Sequence, residues 1–238
     1  FLLSEETLGI VTKSKGKVEY RKYSSKSFTS DVNKGLGLFN NDRIKTGENG
    51  FSIYRYLDDA SSIKILKNSD ILIQGRLDGR LINKTIDINN GILKLDIAQQ
   101  DAAEFSIVTP TSVATIKGTK FWLICNGPNG DRFYGIDGRV EVKNIQSGAT
   151  VLLTENSTVV SSNDGNLIVQ STTSQELEEI DNLDEEAGES QDQDIDSGSD
   201  DIEEDIDIET SDMDEENILK IQFEDSSGNS KVIVIKYK

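Results

Sequence analysis

Apolar residues in this chain recur at every second position in short stretches, and glycine or asparagine turns keep interrupting them. Val18 and Tyr20 alternate with Glu19 and Arg21, and the pairs Phe51/Ile53, Ile63/Ile65 and Ile71/Ile73 repeat the pattern. Period two is that of a β-strand, whose successive side chains point to opposite faces of the sheet. Turn residues cluster at 47–50, 57–59, 78–79, 89–91, 126–130, 137–138 and 163–165. With only 2 prolines against 19 glycines, these turns draw on Gly and Asn in left-handed backbone conformations. No helical period precedes about residue 173. The spacing predicts an all-β body built from short strands.

Beyond residue 169 the pattern changes. Thr173 and Glu176 have the spacing of a capping box, and Leu177, Ile180 and Leu183 follow at intervals of three, which predicts a short amphipathic helix over 173–188. Residues 189–217 are polar and acidic with isolated isoleucines. Alternating residues then flank Asp225, Ser226, Ser227, Gly228 and Asn229, which predicts a β-hairpin over 218–238. Two strands alone are marginal in water, so this hairpin is expected to join a sheet or cover an apolar surface. It can do so on its own body or, by strand addition, on a neighbour; the partner would then be another protein or a second copy.

The formal charge of −18 is concentrated: residues 175–217 hold 22 of the 43 acidic residues and no Lys or Arg, so the rest of the chain has a small positive excess. Such a balance excludes nucleic acid as a partner, since phosphate neutralisation needs a surplus of Lys and Arg. No apolar run reaches the ~20 residues of a membrane span, so no transmembrane segment is expected. Phe1, Leu2 and Leu3 read either as the remnant of a removed leader or as a mere starting point.

With 0 histidines, Ser-His-Asp and Cys-His catalysis and His-based zinc sites are excluded. Neither a Walker loop nor a GxGxxG between strand and helix occurs. The lone Cys125 reads as a small buried apolar residue. The chain is therefore not expected to be an enzyme. One segment has ligand-like spacing: Asp192, Asp194, Asp196 and Asp200, with Glu203 at the twelfth position, resemble a calcium loop, although Gly198 falls one position late. Two readings of it stand, a calcium-binding loop and a solvated acidic linker, and no other cofactor is indicated.

Three segments, in order, resemble the FecR domain family. Residues 37–50, with Asp42, Thr46 and Gly47, are similar to the family's "L..GD.I.TG..G", with Asn41 where the family usually has glycine. Phe105, Ile107, Thr109, Pro110, Ala114, Gly118, Thr119 and Phe121 are similar to "F.V.TP...A.V.GT.F". Residues 134–142, with Gly138, resemble the closing "V..G.V.V". Turn chemistry accounts for these residue types, so Asp42, Thr46, Gly47, Thr109, Pro110, Gly118, Thr119, Phe121 and Gly138 are assigned fold-keeping roles. The resemblance covers 8–170 and implies a β-solenoid or roll of short strands and an extracytoplasmic location: periplasmic, cell-surface or secreted. It also implies one of two functions. One is an exported, non-catalytic structural or protein-interaction module, such as a subunit of a cell-surface or extracellular assembly. The other is the periplasmic sensory portion of a FecR-type sigma-factor regulator. The cytoplasmic sigma-binding region and membrane helix that such regulators place before the domain match nothing here.

Overall fold

Three long strands organise the body, and each changes its inward parity at a glycine. The computed structural model describes residues 6–100, 103–189, 218–224 and 230–236. These fall into two units, Phe1–Gln191 and Asp192–Lys238, taken separately below.

The first unit opens with β1 (Gly9–Lys15), β2 (Val18–Arg21), β3 (Gly37–Leu38), β4 (Asp42–Thr46), β5 (Phe51–Tyr56), β6 (Ser62–Ile65) and β7 (Asp70–Asp78). Next come the long β8 (Leu81–Ile97), the short β9 (Phe105–Val108), and the long β10 (Ser112–Cys125) and β11 (Asp131–Asn144). Strands β12 (Thr150–Thr154), β13 (Ser157–Ser161) and β14 (Leu167–Ser171) and the helix α1 (Ser174–Glu189) complete it. All fourteen strands belong to one open, branched sheet, antiparallel except where β9 runs parallel to β8.

In β8 the buried residues are Ile82, Lys84, Ile86 and Ile88, then Gly91, Leu93, Leu95 and Ile97, so the inward parity switches from even to odd. The first half pairs with β7 and β9, the second with β6 and β10. Strand β10 repeats the device, with Ser112, Ala114 and Ile116 inward before Gly118 and Thr119, Phe121, Leu123 and Cys125 after it. Residues of both halves enter one core, which includes Ile86, Leu93, Ile107, Phe121, Phe133, Val140 and Val159. A bent strand thus turns its apolar face onto the same core twice.

The bends have a steric cause. Gly118 has φ +117°, and a Cβ there would lie 2.9 Å from the Gln99 Cα. Gly91 has φ +130°, and its Cβ would lie 2.3 Å from Ser69 Oγ, which accepts the amide of the next residue, Ile92, at 3.0 Å. Only glycine combines that backbone region with so close an approach. The turns expected at 89–91 and 137–138 are therefore bends inside β8 and β11, and the strands are longer than the turn spacing predicts. A positive-φ glycine reorients a strand without reversing it.

In the second unit, β15 (Ile218–Glu224) and β16 (Ser230–Lys236) form an antiparallel pair with Ile218 opposite Lys236 and Glu224 opposite Ser230.

Candidate protein-interaction face

The residues picked out by motif serve the backbone. Asp42, at the start of β4, is buried and accepts hydrogen bonds from Tyr20 Oη at 2.5 Å and from the Tyr23 and Phe39 amides at 2.9 Å each. One carboxylate thus fixes the end of β2 and the turn into β4. Asn41 has φ +67°, the left-handed conformation that Asn tolerates best after Gly, which explains its place at a usual glycine. Thr46 donates to the Leu66 carbonyl and accepts the Ser69 amide at 2.9 Å, while the Gly47 amide donates to the Lys17 carbonyl at 2.8 Å.

Thr109 accepts the amides of Thr111 and Ser112 across the tight turn that contains the exposed Pro110. Its hydroxyl and that of Thr111 donate to the buried Asp131, which Ser112 Oγ also reaches at 3.1 Å. Thr119 donates to the Arg139 carbonyl at 3.2 Å, Phe121 lies in the core, and Gly138, at φ +78°, packs on the Gly118 carbonyl.

Motif reading missed a buried ion cluster. Lys84, at an inward position of β8, puts its ammonium 2.7 Å from Asp58 and 2.8 Å from Asp59, and its side chain is fully buried. Asp58 also accepts the Ile82 amide at 2.8 Å, and Asp59 accepts from Gln100 at 2.6 Å and from the Ser61 amide at 2.9 Å. Burial alone would raise the Asp59 pKa, but the bonds from Lys84, Gln100 and Ser61 hold it below the ordinary value. The signal was present: Lys84 alternates with Ile82, Ile86 and Ile88, which places a charge in an apolar row. Lys84 also belongs to the wall of an open, polar furrow of about 370 Å³, with Gln74, Asn83, Thr85, Glu104 and Ser106.

The outer face of the second-half layer has a different character. Leu66, Trp122 and Tyr134 form an apolar patch there, flanked by Ile92 and Ile124, and α1 covers it with Ile180 and Leu183. The capping box closes the start of the helix: the Thr173 amide donates to Glu176 at 2.9 Å, and the Glu176 amide to Thr173 Oγ1 at 3.2 Å. Towards the far end, Asp184 receives Lys64 at 2.6 Å and Lys94 at 2.5 Å, and the Lys94 ammonium lies 5.3 Å from the centre of the Trp122 ring. Arg132 stands 3.9 Å from Glu176. The patch is thus aromatic and aliphatic at its centre and basic at its margins.

The apolar part of this contact is small, with Ile180 buried and Leu183 packed beside it. Ile180 is 1% exposed, whereas Leu177 is 37% exposed. Burying one such side chain stabilises by about 1.5–3 kcal/mol. Partly exposed ion pairs add about 0–1 kcal/mol each, and a helix of this length is marginal in isolation.

The candidate calcium ligands Asp192, Asp194, Asp196, Asp200 and Glu203 lie outside the described residues. Among the described residues no group of three or more Asp, Glu, His or Cys is placed to hold a metal ion, and no helix is long and apolar enough to cross a membrane.

Buried turn networks, a bent open sheet and a helix laid on one face describe a mostly β body. The model of the FecR protein family matches residues 42–141, from the first residue of β4 into β11. No curated protein matches the chain. Two crystal structures of a candidate anti-sigma factor from Parabacteroides distasonis resemble it at 12% and 13% identity, with TM-scores of 0.48 and 0.47. In both, the likeness covers 57% of this chain and 62% of the other, so the chain spans less than two thirds of their length.

Proposed function

We propose that this chain is the extracytoplasmic, protein-binding portion of a FecR-type regulator and has no catalytic role. The FecR match over 42–141 carries the reading. The hallmark residues within it spend their polar groups on turns and buried carboxylates, which leaves the outer faces of the sheet to partners. The two-halved sheet around one core favours a roll over a solenoid.

Transcript profiling of a host strain lacking the gene tests this. A regulator's loss is expected to change a small, defined set of transcripts severalfold. An unchanged transcript profile together with a defective envelope structure would reject it. That second outcome belongs to the alternative of a structural subunit of a surface assembly. What favours the alternative is the edge strand β14, which pairs only with β13 among the described strands and exposes Ile168 and Val169 by 53% and 46%. Strand addition at such an edge, or through the hairpin at 218–238, would join subunits by main-chain hydrogen bonds.

A further inference from the structure

The patch beneath α1 is more apolar than the helix that covers it. Leu66, Trp122 and Tyr134 are 1–3% exposed under a helix that inserts one fully buried side chain, Ile180. Lys64 and Lys94 at one margin and Arg132 at the other face Asp184 and Glu176. Two residues, Thr172 and Thr173, join α1 to β14, and the helix adds no strand to the sheet, so the ladder does not depend on it.

We propose that α1 is a displaceable occupant of this face and that the face docks an acidic amphipathic helix of a partner protein in its place. The chemistry it selects is that of α1 itself: aliphatic residues at i, i+3 and i+6, as in Leu177, Ile180 and Leu183, and a carboxylate at i+7, as in Asp184. An aliphatic residue fills the space against Trp122 and Tyr134, and the carboxylate satisfies Lys64 and Lys94. A basic helix would meet like charge at both margins, and an uncharged one would leave the lysines unpaired. The proposal rests on the protein-binding reading and names the partner's chemistry.

Trp122 is the only tryptophan of the chain and lies under the helix, so its emission reports occupancy. In the full-length chain, Ile180→Glu with Asp184→Lys is expected to shift Trp122 emission to the red while the β-sheet circular dichroism is kept. A synthetic peptide with the natural sequence of residues 173–189 should then reverse the shift saturably. The same peptide carrying Ile180→Glu should not, and the wild-type chain should bind the natural peptide at least tenfold more weakly than the variant.

Should the double variant misfold, Lys64→Glu with Lys94→Glu removes the grip on Asp184 without entering the core and is expected to give the same red shift. Unchanged emission in a folded variant, or peptide binding that is absent or insensitive to Ile180→Glu, would overturn the proposal. A wild-type dimer that dissociates when Ile180 is changed would assign the face to a second copy and overturn it too. These outcomes concern the face alone; failure of the regulator reading would show instead in the transcript profile.

Discussion

Lys84 illustrates what one residue does in this fold. Its ammonium sits among Asp58, Asp59 and the Tyr56 ring in the core, and removing one partner of such a cluster leaves uncompensated charge. Lys84→Met is therefore expected to destabilise the body by about 3–5 kcal/mol at pH 7, read by denaturant unfolding. The pH dependence has a definite sign. In the wild type Asp59 lies below its ordinary value of 3.8, so the stability it contributes is present above that value and is lost as pH falls through the lower folded one. In the variant, burial without the Lys84 countercharge raises the Asp59 value, and protonation relieves the penalty as pH falls. The gap between the two proteins should narrow between pH 7 and pH 4; a constant gap, or one below about 1 kcal/mol at pH 7, would refute the account of the cluster.

Cys125 is the opposite case, a residue whose reactivity the fold suppresses. Burial, and then the nearby charge of Asp131, push its thiol up to about 12. The native protein at pH 8 should resist iodoacetamide and be alkylated only when unfolded in guanidinium; rapid labelling of the native state would contradict this. The sequence already marked Cys125 as a buried apolar residue, but not the company of Asp131. Thr109, Thr111, Ser112 and Asp131 meet only because β9, β10 and β11 pair in space.

Among the elements, strands were more legible than their connections. Alternation locates β2, β5, β6 and β7 from residues 18–21, 51–56, 62–65 and 70–78, and the Thr173 and Glu176 spacing locates the start of α1, because both signals are local. The lengths of β8 and β11 were not legible. Glycine beside asparagine or aspartate reads as a chain reversal, whereas Gly91 and Gly138 bend strands that continue. The parity change at each, from even to odd in β8 and from odd to even in β11, was nonetheless written in the sequence.

Glycines with positive φ are not equivalent. Gly118→Ala adds a Cβ 2.9 Å from the Gln99 backbone, whereas Gly79→Ala, at φ +65°, meets nothing within 4 Å. Left-handed strain alone costs about 1–2 kcal/mol. Thermal unfolding should show that loss for Gly79→Ala and at least about 1 kcal/mol more for Gly118→Ala. Equal losses would mean that the close approach at the bend is not what requires glycine at 118.

At the scale of the molecule, the FecR match ends at residue 141, and the candidate face reaches beyond it. Trp122 and Tyr134 lie inside the matched stretch, while α1 lies outside it, so the matched stretch supplies the patch and the following sequence supplies its cover. No sequence motif marks this face, because Leu66, Ile92, Trp122, Tyr134 and Ile180 come from five elements or their margins. The periodicity of α1 announced only that some apolar surface had to receive it. The central claim is that this face is the working surface of a FecR-type regulator, and it is tested most directly in the host. Transcripts are compared between strains that carry the wild-type chain and strains that carry Ile180→Glu with Asp184→Lys at the same protein level. The account predicts that the variant shifts the same small set of transcripts as loss of the gene, severalfold in either direction. A variant profile identical to wild type, where loss of the gene does change that set, would contradict it.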